Sequence, residues 1–150
     1  MTTSTTSLQS LGLLAIRVAL GVVFLAHGAD KLGDLSGTEE MFGGIGIPAP
    51  ALMAPLVAFT EVIGGLLLIV GLLTPLAGTA LAVDMLVAFL VVHAGKGFFV
   101  ADGGYELVML LGFASIGVAA TGAGRLSLDG ALKLPERVTG GGRTTASPTA

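Results

Sequence analysis

One apolar run, from Ala51 to Leu73, most limits what this chain can fold into, because it carries a single carboxylate, Glu61, near its centre. As a helix, the run is about long enough to cross the hydrocarbon core of a bilayer. A central acidic residue opposes insertion by about 2.5–3.5 kcal/mol, whereas each Leu, Ile, Val or Phe favours it by about 0.3–0.6 kcal/mol. The run is therefore predicted to insert, with Glu61 protonated, paired or facing the interior of a bundle.

The composition of the whole chain points the same way. Hydrophobic residues make up 53% of the 150 residues and charged residues 11%, whereas a soluble domain typically carries about 25% charged residues. We therefore expect one small integral membrane domain whose first partner is the lipid bilayer. The net charge of -3 and the lack of a basic run in the sequence argue against nucleic acid as a partner.

The sequence contains no cysteine, which removes disulfides, CxxC pairs and thiolate-bound zinc or iron–sulfur centres from this chain. Its start has no Lys or Arg before Arg17 and therefore lacks the basic region of a cleaved signal peptide. The first apolar segment is expected to remain as a membrane helix.

Four apolar segments predict an all-α fold, a four-helix transmembrane bundle with short hairpin turns. The spans are about 8–29, 51–73, 76–94 and 105–121. The turn before Pro75 is short enough to make spans two and three an antiparallel hairpin, with Thr74 able to cap the helix that follows. Residues 1–7 are predicted to be a disordered arm, 8–130 the membrane domain and 131–150 a disordered tail.

The basic residues differ between the two sides of the membrane. The tail contributes Arg125, Lys133, Arg137 and Arg143, whereas the opposite loops contribute Lys31 and Lys96. Because Lys and Arg are enriched in cytoplasmic segments, both termini of this multi-pass cell-membrane protein are predicted to be cytoplasmic.

Three charged residues are predicted to lie inside the membrane, namely Arg17, Glu61 and Asp84. Ala58 and Gly65 share the helix face of Glu61, which lets another helix approach that face closely. Since Arg17 is cationic at any ordinary pH, we expect it to be the counter-charge and the three side chains to meet in the bundle interior. Two interpretations are open: an ion-pair network that only fixes helix order, or a proton-relay or ligand site.

A second polar cluster is predicted at the outer ends of spans one, three and four. It consists of His27, Lys31, His93, Lys96 and Glu106. These groups could surround a bound small molecule, or they could be interfacial histidines and snorkelling lysines beside the acidic start of a helix. Their spacing matches no specific metal motif, so no metal site is assigned.

An ordered set of short motifs resembles the DoxX family of bacterial membrane proteins over about residues 11–130. The motifs are His27-Gly28-x-x-Lys31, Gly46-Ile47-Pro48, Glu61-x-x-Gly64-Gly65-x-x-Leu68, Gly71-Leu72-Leu73-Thr74, Lys96-Gly97-Phe98, Gly103-Gly104-Tyr105-Glu106 and the run from Gly122 to Asp129. The resemblance implies a four-helix membrane protein linked to oxidoreductase systems. Such systems include a thiosulfate:quinone oxidoreductase of sulfur-oxidising archaea and a mycobacterial assembly with a superoxide dismutase and a sulfurtransferase. It supplies no established set of catalytic residues.

Three functions compete at this point. The first is a membrane subunit or anchor of an oxidoreductase assembly, at most a subunit of a quinone-linked enzyme, with a soluble or membrane-bound redox partner protein. Such a chain would carry no covalently bound cofactor and would bind quinone reversibly. The second is a small proton-coupled transporter built around Glu61. The third is a non-catalytic membrane scaffold whose buried charges serve packing, and self-association is compatible with all three.

Overall fold

A computed structural model describes residues 2–132, with side chains described from Leu8 onward. The described chain is helical, with the elements α1 (Thr2–Gly33), α2 (Leu35–Gly44), α3 (Pro50–Val70), α4 (Thr74–Ala88), α5 (Glu106–Thr121) and α6 (Leu128–Ala131). A π-helical turn (Phe89–His93) and a 3-10 turn (Ala94–Lys96) prolong α4, and another 3-10 turn (Val100–Asp102) precedes α5. The predicted all-α membrane bundle is confirmed.

Three of these helical segments are long and apolar enough to cross a membrane, and they cover residues 8–33, 50–70 and 74–96. The fourth, α5, is also apolar but has only 16 residues, which corresponds to a length of about 24 Å. The predicted span 51–73 is longer than α3, because Gly71 takes a left-handed conformation with φ +70° and ends the helix after Val70. The short connection that follows makes α3 and α4 the expected hairpin.

Helices α1 and α3 pack with their backbones in contact. A Cβ atom added to Gly21 would lie 2.6 Å from the carbonyl oxygen of Gly65, and one added to Gly65 would lie 2.7 Å from that of Gly21. Further along α1, a Cβ atom on Gly28 would lie 2.9 Å from the carbonyl oxygen of Ala58. Only glycine allows this approach, so the small-residue face around Glu61 admits a neighbouring helix as predicted.

Helices α4 and α5 form the second close pair, in which Gly78 lies against Ser115 and Ala119. The core between the two pairs consists of Leu20, Phe24, Leu68, Leu81, Met85, Leu111 and Val118, with further small side chains. Helix α2 packs on α3. The bundle is therefore two glycine-packed helix pairs joined by an apolar core.

Helix α1 begins within the predicted arm, residues 1–7, and α6 ends at Ala131, where the predicted tail begins. Residue 1 and residues 133–150 lie outside the described residues. The disorder predicted for 1–7 and 131–150, and the domain limits drawn from it, stay predictions.

Candidate functional site

A buried ion pair joins the end of α1 to the middle of α3. The ammonium nitrogen of Lys31 lies 2.6 Å from Oε2 of Glu61. The side chain of Glu61 is 4% exposed, whereas that of Lys31 is 22% exposed. The carboxylate is thus enclosed by the bundle, and the ammonium group reaches it from a position that is still open at one side.

Asp84 of α4 lies close enough to Glu61 and Lys31 to interact electrostatically with both. It is half-buried as a residue, and its Oδ2 atom is buried without a hydrogen-bond partner among the described residues. A buried polar atom normally has a partner, and a missing one costs about 1–3 kcal/mol. We name Lys31, Glu61 and Asp84 the lysine–carboxylate cluster.

The charges of the lysine–carboxylate cluster do not balance by themselves. Two carboxylates share one ammonium group, so the cluster is neutral only when it also holds one proton or another cation. In an apolar bundle a net charge is strongly disfavoured. The unpartnered Oδ2 of Asp84 is an atom at which such a proton can reside.

Arg17 does not join this cluster. Its guanidinium group is fully buried and donates hydrogen bonds to the carbonyl oxygens of Ala123 and, at 2.9 Å, of Leu126. Arg17 and Lys31 are 14 residues apart on α1, which corresponds to about 21 Å along the helix. Arg17 is expected to meet Glu61 and Asp84, but in the structure Lys31 takes that position. Arg17 instead binds the segment that follows α5.

Asp129 completes the contacts at this opposite end of the bundle. It interacts electrostatically with Arg17, and its carboxylate accepts hydrogen bonds from the backbone N–H groups of Leu73, at 2.9 Å, and Thr74, at 3.2 Å. Its own N–H donates to the carbonyl oxygen of Gly71 at 2.9 Å. Asp129 therefore caps the start of α4, a role that the sequence assigned to Thr74.

The five residues predicted as an outer cluster are only partly brought together. Lys31 belongs to the ion pair with Glu61, His27 is exposed on α1, and Lys96 is exposed at the end of the α4 extension. The Nδ1 atom of His93 lies 2.7 Å from the carbonyl oxygen of Gly103, and Glu106 is the half-buried first residue of α5. Within the described residues, no three His, Asp or Glu side chains are grouped so that they could hold a metal ion.

An apolar cleft lies between α4 and α5, with a volume of about 880 Å³. Its lining includes Met85, Phe89, Tyr105, Met109, Gly112 and Phe113. Sites for drug-sized molecules typically have volumes of about 300–1,000 Å³ and mostly apolar walls. The cleft thus has the size and character of a site for an apolar ligand.

The fold and the buried cluster define a small helical membrane protein with ionisable groups inside its bundle. The DoxX family model matches residues 12–94, and the chain belongs to this family. A Bacillus subtilis protein named "Putative oxidoreductase CatD" is 36% identical over 119 residues, covering 79% of this chain and 85% of that protein.

Two further relatives are similar over most of their length. An uncharacterized protein of Haemophilus influenzae is 35% identical over 118 residues, covering 76% of this chain and 85% of that protein. An uncharacterized membrane protein of Mycobacterium tuberculosis is 35% identical over 130 residues, covering 77% of this chain and 78% of that protein. None of the solved structures matches this chain. The family and its membrane location are thereby shown, as the sequence motifs predicted.

Proposed function

We propose that this DoxX-family chain is the membrane subunit of an oxidoreductase assembly, in which the lysine–carboxylate cluster takes up and releases protons. The observation that carries this proposal is the buried Lys31–Glu61 pair at 2.6 Å with the unpartnered Oδ2 of Asp84 beside it. Buried ionisable groups inside membrane segments are rare and are typical of proton relays and ligand sites. The name of the Bacillus subtilis relative, an oxidoreductase, favours a redox setting over other uses of such a relay.

The electron carrier we propose is a quinone, with the electrons supplied by a partner protein. A quinone takes up two electrons and two protons to become a quinol, so its reduction needs a proton source as well as an electron donor. The cleft between α4 and α5 is apolar and large enough for a quinone ring with the start of its isoprenoid tail. In this arrangement the chain binds quinone and exchanges protons, while the partner carries the redox centre that donates electrons.

The cluster is tested with the tagged chain purified in mild detergent from its own membrane, together with the proteins that remain bound. Asp84→Asn and Glu61→Gln should lower quinone reduction by the assembly at least about 10-fold, because a positioned proton-transfer group contributes about 100-fold or more. The matched control is Asp102→Asn, which changes an exposed carboxylate. Unchanged quinone reduction in both cluster variants, at equal partner content, would remove the cluster from the reaction.

The cleft is tested with two glycines of α5. Gly112 lines the cleft, whereas a Cβ atom added to Gly117 meets no other atom within 4 Å. Gly112→Leu should therefore reduce the amount of quinone that copurifies, and Gly117→Leu should leave it unchanged. Equal quinone content in the two variants would place the quinone elsewhere.

The other two functions give different results in the same preparations. A proton-coupled transporter would purify without quinone or partner and would show pH-dependent flux in proteoliposomes that Glu61→Gln abolishes. A scaffold would keep its partner and show no change in activity per folded molecule in any of these variants. Cell-membrane topology with both termini in the cytoplasm belongs to the proposed arrangement.

A further inference from the structure

The connection between α4 and α5 presents large apolar side chains outward. We name residues 97–105 the aromatic loop. Within it, Phe98 is 44% exposed, Phe99 63% and Val100 50%. Exposed apolar groups that lie side by side normally mark an interaction surface. Phe98, Phe99 and Val100 belong neither to the lysine–carboxylate cluster nor to the lining of the cleft, and the position of the loop in the bundle indicates what they contact.

The depth of the aromatic loop follows from the start of α5. The rings of Phe89 and Tyr105 meet edge to face, with centroids 5.3 Å apart, so α5 begins at the level of Phe89. The helical path of α4 continues seven residues further, to Lys96, which corresponds to about 10 Å. The loop therefore runs beside the last turns of the α4 extension, in the position that two more turns of α5 would occupy.

At this level the α4 extension already faces outward with apolar side chains. Leu90 is 62% exposed and Val91 is 44% exposed, within a helical segment long and apolar enough to cross a membrane. Helix α5 alone, at about 24 Å, is shorter than the hydrocarbon core of about 30 Å. The loop runs beside the last turns of this extension, with Gly103 against His93 and Lys96, so its exposed apolar side chains add to the surface that α4 presents to lipid.

The backbone of the aromatic loop satisfies many of its own polar groups. The N–H groups of residues 102–106 all donate to carbonyl oxygens of residues 97–100, at 2.9–3.1 Å. The Nδ1 atom of His93 lies 2.7 Å from the carbonyl oxygen of Gly103, and the rings of Phe98 and Tyr105 meet edge to face at 5.5 Å. Irregular backbone at membrane depth is tolerated where protein satisfies its polar groups, and these bonds do so for the second half of the loop.

We propose that the aromatic loop is a membrane-inserted element. Phe99 and Val100 contact the acyl chains of one leaflet, while the exposed Lys96 and Asp102 lie at the level of the lipid headgroups. The partner of this surface is bilayer lipid, because the surface is continuous with the lipid-facing side of α4.

The test uses tryptophan fluorescence, because the chain contains no Trp and each variant therefore has a single emitter. Phe99→Trp, Leu90→Trp and Ile63→Trp are reconstituted as full-length chains in phosphatidylcholine vesicles, with bromine placed either near the headgroup or near the end of the acyl chain. Phe99→Trp should be quenched most by the shallow bromine, like Leu90→Trp. Ile63→Trp, at a 52% exposed position in the middle of α3 and outside the cleft, should be quenched most by the deep one.

Two results would overturn the proposal. Emission of Phe99→Trp at the wavelength typical of water, with quenching by acrylamide and none by bromolipid, would place the loop in solvent. Protection from both quenchers would show that protein covers it. If Phe99→Trp does not fold, Val100→Trp replaces it with the same expected and contradicting results.

Discussion

The Lys31–Glu61 pair gives a prediction about stability that depends on how unequally its partners are buried. Lys31→Met leaves a carboxylate that is 4% exposed without its counter-charge, whereas Glu61→Gln leaves an ammonium group that is 22% exposed and can move toward water. Removing one partner of a buried pair costs about 3–5 kcal/mol when the remaining charge stays buried. When the remaining charged group can move into water, the loss of unfolding free energy is expected to be about 1–2 kcal/mol, close to that of a broken hydrogen bond.

Lys31→Met should therefore destabilise the bundle more than Glu61→Gln, and the double variant should be more stable than Lys31→Met alone. The two changes should be coupled by about 2 kcal/mol. In contrast, Arg17→Gln and Glu61→Gln should be additive within about 0.5 kcal/mol, because Arg17 lies about 21 Å along α1 from the partner of Glu61.

The assay is reversible unfolding in mixed micelles by titration with sodium dodecyl sulfate, followed by circular dichroism. Lys96→Met is the control, since it removes an exposed lysine near the same end of the bundle and should change the free energy of unfolding by less than about 0.5 kcal/mol. Equal losses for Lys31→Met and Glu61→Gln, or coupling of Glu61 to Arg17 in place of Lys31, would refute the assigned pairing.

Three further predictions concern packing, capping and topology. Gly65→Val should lower the free energy of unfolding by about 1–3 kcal/mol, because its Cβ atom would lie 2.7 Å from the carbonyl oxygen of Gly21. Gly117→Val, on the open face, should leave the free energy of unfolding unchanged. Equal stability of the two variants in the same titration would contradict the close crossing of α1 and α3. Asp129→Ala should lower the free energy of unfolding by at least about 1–2 kcal/mol, the contribution of a helix cap, and Thr74→Val should lower it less. The same titration compares the two variants, and a larger loss for Thr74→Val would show that Thr74 is the cap. In the cysteine-free chain, an impermeant maleimide should label Asp102→Cys in intact cells and Arg125→Cys only after permeabilisation, and the opposite pattern would invert the topology.

The helical faces could be predicted from the sequence, because helical spacing fixes them. The carboxylates of Glu61 and Asp84 do lie near each other, and Gly65 does admit a neighbouring helix. The relative heights of the helices could not be predicted. From Pro50 to Glu61, α3 rises 11 residues, or about 16 Å, whereas Gly28, which lies against Ala58 and Val62 near the level of Glu61, is only five residues from the end of α1 at Gly33. Lys31 is predicted in the cluster at the outer end of span one, so Arg17, the cationic residue predicted inside the membrane, is expected as the counter-charge.

The contacts of Asp129 show a second limit of reading from sequence. The local pattern before Pro75 favours Thr74 as the cap of α4, and no rule based on neighbouring residues points to a carboxylate 55 positions away. Asp129 is the last residue of the family motif that begins at Gly122. The sequence alone does not show what this motif contacts, whereas the fold places it against Gly71 and Arg17.

The hydrogen bonds of Asp129 and Arg17 also set an order for the maturation of the protein. The carbonyl oxygens that bind Arg17 and the carboxylate that caps α4 belong to residues 123–129, which leave the ribosome after all four long helices. Until then, a cationic group inside α1 and the start of α4 lack their final partners. A chain stopped after Gly122 would contain all four long helices and still expose these groups to degradation, so the stability of the bundle depends on translation as far as Asp129.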